Sequence, residues 1–256
     1  MTIYIHLVRH AQGFHNLSAA NHQLPDPDLT PLGEQQCATL RDAFPHHKSI
    51  TYLVASPMRR TIYTCLLSFA PAAASGVKVI ALPEVQEVSN LPCDTGSDPA
   101  RLQSEFGPGG QVDLSLVKEG WNDKSVDTKW APEMDRLDAR AKAARVWLRE
   151  LARNGVQESG GKGHVHIALV THGGFLHFLT DDFDGLNAEM GTGWVNTELR
   201  TYQFVDPEGN DGEARLKETG DSWRRRRGSA VGLTETEQME IRVALQSRLK
   251  EEFGGV

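Results

Sequence analysis

Short apolar runs alternate with amphipathic stretches along most of the chain. Ile3, Ile5, Leu7 and Val8 form a run rich in β-branched residues, as expected of a mostly buried strand in an α/β sheet. Ile50–Ala55, Val77–Leu82 and His164–Val170 repeat the pattern, and Glu198–Val205 reads as a final strand. Helical signals lie between them. Thr30-Pro31-Leu32-Gly33 offers a capping hydroxyl followed by proline at the first helical position, which predicts a helix to about Phe44-Pro45. Ser56-Pro57 repeats that arrangement and places Arg60 in the first turn of a second helix. Met134, Leu137, Ala141, Ala144, Leu148 and Leu151 recur at helical spacing, which predicts an amphipathic helix of about five turns covering one face of the sheet. A Gly/Ser-rich turn over 158–163 precedes the fourth strand, and a further helical run starts at Phe175. Thr234 and Glu237 match a capping box, after which Ile241, Leu245, Leu249 and Phe253 share one face of a terminal helix.

Two regions depart from this rhythm. From about Val88 to Ala131 the chain is rich in Pro and Gly, carries Trp121 and Trp130, and has few periodic apolar positions; so long an irregular segment in one domain suggests a functional lid. Residues 206–256 read as an extension, with a loop at 207–212 and a basic stretch, Ser222–Arg227, around Trp223. That stretch is expected to be a solvated strand or linker face, the alternative being a surface that draws anions to the pocket mouth.

The strand ends carry the chemistry. The first strand stops at Arg9-His10, the second leads to Arg60, and the fourth runs into Thr171-His172-Gly173-Gly174. Strands alternating with helices imply a mostly parallel sheet, whose carboxyl ends gather on one edge and bind ligands there. Two guanidiniums, one or two imidazoles and a helix N-terminus suit a dianionic phosphoryl group beside an attacking nitrogen. Composition is compatible with this and narrows the rest. The 256 residues are 39% hydrophobic and 24% charged, ordinary for one globular domain with insertions. A net charge of −7 argues against nucleic acid as a partner. No run reaches the ~18 apolar residues of a membrane span and the N-terminus lacks a signal-type core, so no membrane partner and a cytoplasmic location are expected. Cys37, Cys65 and Cys93 are widely spaced and read as free thiols.

Taken together, L7-V8-R9-H10-A11, S56-P57-M58-R59-R60-T61 and T171-H172-G173-G174, with the T-P-L-G helix start at Thr30–Gly33, resemble the histidine phosphatase superfamily, phosphoglycerate mutase-like branch. The segment P92-C93-D94-T95-G96-S97 looks like one subgroup of small, mainly fungal members. The resemblance implies a single three-layer α/β sandwich with a mostly parallel sheet, an irregular lid at 88–131 and no cofactor or metal. It implies that His10 attacks phosphorus to form a phosphohistidine while Arg9, Arg60 and His172 hold the phosphoryl oxygens, with Asn16, Gly173 and Asp94 as further substrate contacts. The family's acid after the third strand falls on L82-P83-E84 or V85-Q86-E87; Glu87 is preferred for its proximity to the 92–97 segment, with Glu84 and Asp94 as alternatives. Ala11 stands where glycine is commoner, which is tolerable if the backbone there is not left-handed.

Other readings carry less. His6 with His10, and His164 with His166, share strand faces, but no acidic ligand flanks them in a metal spacing, so His6, His164 and His166 are expected to be structural or surface residues. Of the loop histidines only His15 is near the first motif. The leading functional expectation is a phosphomonoesterase acting on a small phosphorylated metabolite. A phosphoglycerate-type mutase and a non-catalytic phosphate-binding module are the alternatives, and monomer and homodimer both stay open.

Overall fold

Every residue of the strand Val165–Thr171 is buried, and a strand covered on both faces must lie inside a sheet rather than at its edge. The computed structural model describes residues 2–158, 160, 163–186, 192–206 and 208–253. Its elements are β1 (Ile3–Arg9), α1 (Pro31–Ala43), β2 (Ile50–Ala55), α2 (Arg59–Ser68), α3 (Ala70–Ala74), β3 (Val79–Ala81), α4 (Pro99–Phe106), β4 (Val112–Asp113), α5 (Met134–Glu158), β5 (Val165–Thr171), α6 (Gly173–Thr180), β6 (Leu199–Phe204), β7 (Leu216–Glu218), α7 (Gly220–Arg227) and α8 (Glu235–Phe253). The sheet order is β4-β3-β2-β5-β1-β6-β7. β5 is the middle strand, parallel to both β1 and β2, and β6 runs antiparallel to β1.

The register places the functional ends side by side. Arg9 pairs with Thr171 and Ala55 with Val170, and the ladder continues one step as His10 N–H donates to the Thr171 carbonyl (2.8 Å) and Ser56 N–H to that of Val170 (3.1 Å). Alternate residues of each strand feed two cores: Ile5 and Leu7 with Leu137, Leu148 and Phe175 on one face, Val8 with Leu53, Met58 and Ile62 on the other. The result is the expected three-layer α/β sandwich.

Thr30 caps α1 through a bond from Gly33 N–H. A Cβ on Gly33 would lie 2.2 Å from the Gln12 carbonyl oxygen, so only glycine lets α1 start against the loop that leaves β1. The second helix start differs from expectation. Ser56 and Pro57 stay outside α2, whose cap is Met58, because the Ser56 hydroxyl is bonded to His172 at 2.9 Å instead. Arg60 nonetheless falls in the first turn.

The segment 88–131 is less irregular than its composition implies: it contains α4 and supplies β4, the edge strand beside β3. Trp121 and Trp130 are buried, and the Trp121 indole donates to the Ser97 carbonyl (3.1 Å). Their rings serve packing. The extension also holds more structure than expected. β6 is not the last strand, since β7 pairs with it antiparallel. The basic stretch is the helix α7, capped by Thr219, with Arg226 paired to Glu218 and Arg227 to Asp184. The Thr234–Glu237 capping box forms as expected, and Ile241 and Leu245 pack on the core. Leu249 and Phe253 lie outside the residues whose side chains are described, and residues 159, 161 and 162 of the 158–163 turn, with Pro207, lie outside the described residues. No described helix is long and apolar enough to cross a membrane.

Leu148 is fully buried on the inner face of α5. Leu148→Ala is expected to cost about 2–5 kcal/mol through lost burial and the cavity left behind. Urea denaturation checks this, and a loss below about 1 kcal/mol would mean that α5 does not cover the sheet as described.

Candidate active site

Three parallel strands and two helix starts converge on His10. The His10 ring lies 5.2 Å from His172 and 5.3 Å from His15, centroid to centroid. Its Nδ1 is 2.7 Å from the Ala11 carbonyl oxygen. A carbonyl only accepts, so Nδ1 carries the ring proton and Nε2 keeps its lone pair. Among the described residues Nε2 has no hydrogen-bond partner. Burial first, and then the charges of Arg60 and Arg9 together with His15, pull the His10 pKa well below its ordinary value, so the ring is neutral. Ala11 is not among the described residues with positive φ, so its methyl group is accommodated without strain.

Arg60 is fully buried. Its Nη1 donates to the Cys93 carbonyl (2.6 Å), and its Nη2 to Asp94 Oδ1 (3.0 Å) and to His172 Nδ1 (3.1 Å). Three of its five donors are engaged, while Nε–H is buried without a partner. Arg9 repeats the arrangement: Nη1 donates to the Trp194 carbonyl (2.5 Å) and its buried Nε–H has no partner. Two guanidiniums thus keep donors in reserve beside a neutral imidazole. His172 uses both ring nitrogens, accepting from Arg60 and bonding Ser56, so its immediate work is to orient Arg60. Burial and Arg60 lower its pKa well below the ordinary value.

The alternatives for an acid separate clearly. Glu87 Oε1 accepts from Val88 N–H and Phe175 N–H (both 2.9 Å), and Oε2 from Gly174 N–H (3.2 Å). Its carboxyl therefore sits on the N-terminus of α6. A Cβ on Gly174 would stand 2.7 Å from Glu87 Oε1, which is the physical reason for glycine there. Burial and the nearby Asp94 charge raise the Glu87 pKa, against the bonds from Val88 and Gly174. Asp94 is committed on both oxygens, to Arg60 and to the Ser89 hydroxyl (2.5 Å). Glu84 is paired with Lys129 at the surface.

Asn16 is exposed, its Oδ1 taken by Gly13 N–H (3.0 Å), and the Gly173 carbonyl accepts from the Thr192 hydroxyl (2.9 Å). Neither is drawn into the network of Arg60, His172 and Asp94. Sequence reasoning missed Asn196, which donates to the His10 carbonyl (2.9 Å), and Lys124 and Arg140, which both donate to the Glu87 carbonyl. None stands in a recognisable motif. His6 bonds His166 at 3.0 Å and stacks with His46, a cluster toward the amino ends of the strands. Among the described residues no group of three or more His, Cys, Asp or Glu is arranged to hold a metal. The three cysteines are free and buried.

Arg60, His172 and His10 are thus brought together at the carboxyl edge of the sheet of an α/β sandwich. The sequence model of the histidine phosphatase superfamily (branch 1) matches residues 5–221, and the chain belongs to that family. Among its relatives, a phosphoglycerate mutase-like protein of Arabidopsis thaliana is 29% identical over 246 residues, 79% of this chain and 84% of the relative. A second, phosphoglycerate mutase-like protein 1 of the same plant, is 28% identical over 243 residues, 79% of this chain and 81% of its own length. Ecdysone phosphate phosphatase from Bombix mori, solved with tungstate, shares the fold at a TM-score of 0.53 and 17% identity, covering 92% of this chain and 99% of its own. So does mycobacterial glucosyl-3-phosphoglycerate phosphatase, solved with VO3, at 0.50 and 21%, covering 84% and 96%.

Burial lowers the pKa values of six imidazoles, His6, His10, His15, His166, His172 and His177. Below their ordinary value of about 6.5 the unfolded chain takes up protons that the folded chain refuses. The part of the stability that depends on these rings is therefore expected to be full above about pH 6.5 and to fall as pH drops toward about 4, the value to which His166 and His177 are lowered. Asp26, Glu87 and Asp138, raised by burial, act in the opposite sense and are outnumbered. Urea midpoints at about pH 7.5 and about pH 5 check this; equal midpoints would contradict neutral buried rings.

Proposed function

We propose that the protein is a metal-independent phosphomonoester hydrolase that works through a phosphohistidine on His10. One observation carries the reading: a neutral imidazole with its proton fixed on Nδ1 stands beside two guanidiniums whose buried Nε–H groups have no partner. Such donors favour a ligand that brings oxygens and negative charge. In the first step the His10 Nε2 lone pair attacks phosphorus, the bond to the ester oxygen breaks, and Glu87 in its acid form gives that oxygen a proton. Arg9 and Arg60 hold the equatorial oxygens, Arg60 from the orientation set by His172 and Asp94. In the second step the Glu87 carboxylate takes a proton from water, the water oxygen attacks phosphorus, and the P–N bond breaks to return neutral His10 and inorganic phosphate. The raised pKa of Glu87 suits a group that must be an acid before it is a base.

The mutase-like names of the plant relatives favour a second reading, in which the phosphoryl group returns to the substrate. A mutase needs cations for a second anionic group on that substrate. Of the further cations beside Glu87, Lys124 gives its three donors to backbone carbonyls (2.6–2.8 Å), and the Arg140 guanidinium lies over the Phe175 ring with Nη2 on the Glu87 carbonyl, so both serve the protein's own packing. Hydrolysis is the better fit.

His10→Ala is expected to lower kcat for phosphomonoester hydrolysis by roughly 10³-fold or more while inorganic phosphate still binds, since Arg9 and Arg60 remain. A screen of phosphate release from sugar phosphates, phosphoglycerates, nucleotides and phosphopeptides names the substrate for that comparison; an unaltered rate in the variant would overturn the assignment. Glu87→Gln should slow alkyl phosphates by ~10²–10⁴-fold, because only a poor leaving oxygen needs a proton, and an aryl phosphate far less. Equal losses on both substrates would move the acid role away from Glu87.

A further inference from the structure

Lys124 belongs to the irregular stretch between β4 and α5, yet its side chain is buried. A buried lysine is rare unless its charge is met. Here it is met by backbone: Nζ donates to the carbonyls of Glu87 (2.8 Å), Ser89 (2.6 Å) and Asp94 (2.6 Å). An ammonium has three N–H donors, and each has one acceptor. Those three carbonyls belong to a single loop. At one end it carries Glu87, whose carboxyl faces the N-terminus of α6, and at the other Asp94, which holds Arg60.

A second cation reaches the same point from another layer. Arg140 of α5 donates to the Glu87 carbonyl (3.2 Å), with its guanidinium 4.7 Å over the Phe175 ring. Phe175 N–H in turn donates to Glu87 Oε1. Glu87 is therefore clamped from behind by two charged donors to its carbonyl and from the front by three backbone N–H groups on its carboxyl. Apolar packing alone would be met by a methionine at position 124, whereas three converging carbonyls call for a cation.

We propose that Lys124 is a positioning residue for proton transfer, its ammonium holding the 87–94 loop so that the Glu87 carboxyl stays against α6. The proposal rests on reading Glu87 as the acid. Lys124→Met keeps an unbranched side chain, one atom shorter, and removes the donors. It is expected to lower kcat on an alkyl phosphate about 10-fold more than on an aryl phosphate, with KM unchanged on both. In a Glu87→Gln background the same change should add no further loss, as for two residues acting through one step. Independently of turnover, hydrogen exchange at the Gly174 and Phe175 amides should quicken about 10-fold as their bonds to Glu87 loosen. Lys124→Gln, which retains two donors, should fall between wild type and Lys124→Met on each readout and serves if the latter does not fold. Equal losses on the two substrates, additive losses in the double variant, or unchanged exchange would each overturn the proposal. If the wild type hydrolyses neither substrate, the hydrolase reading has failed, and the amide exchange alone decides whether Lys124 holds the loop.

Discussion

A guanidinium with no access to water is the charge on which this molecule is arranged. Removing such an ion from water costs several kcal/mol unless partners compensate, and the Arg60 site is shaped by that requirement. Asp94, the Cys93 carbonyl and His172 supply the compensation, Ser89 holds the second oxygen of Asp94, and Ser56 holds the far side of His172. These partners come from three parts of the chain: the turn after β2, the loop after β3, and the junction of β5 with α6. The field of the same cation, with burial, keeps His10 uncharged. Loss of one partner would leave a buried charge unmet, so the site is set by the fold as a whole rather than by any one loop.

The carboxyl of Glu87 shows the complementary use of backbone. Three N–H groups, two of them at the start of α6, face it, and the helix end favours the anion. Burial and Asp94 push the other way and favour the acid. A group balanced between these influences can exist in both forms, as alternate donation and acceptance of a proton requires. The approach is possible because Gly174 has no side chain.

Much of this is legible in the residues. The β-branched runs and the Thr30-Pro31 start mark β1, β2, β5 and α1 nearly to the residue, because buried parallel strands and capped helices leave strong local patterns. Arg9, His10, Arg60 and His172 can be grouped because parallel strands gather their ends on one edge. What stays hidden depends on long-range pairing. β4 and β7 are two and three residues long, too short for periodicity, and exist because a neighbouring strand is there to pair with. α7 reads as a charge run, and only its pairing with Glu218 and Asp184 gives it a place. Lys124 and Arg140 carry no local signal, since their partners are carbonyls, which every residue has. Ser56 has the local pattern of a helix cap, but His172, distant in sequence, claims its hydroxyl.

The central claim is that His10 Nε2 bonds covalently to phosphorus. Brief reaction with a radiolabelled phosphomonoester, acid-free quenching and peptide mapping tests it directly. The expected result is an acid-labile, base-stable label on the peptide containing His10 in the wild type, and none in His10→Ala. Label on another residue, or label that persists when His10 is removed, would contradict it.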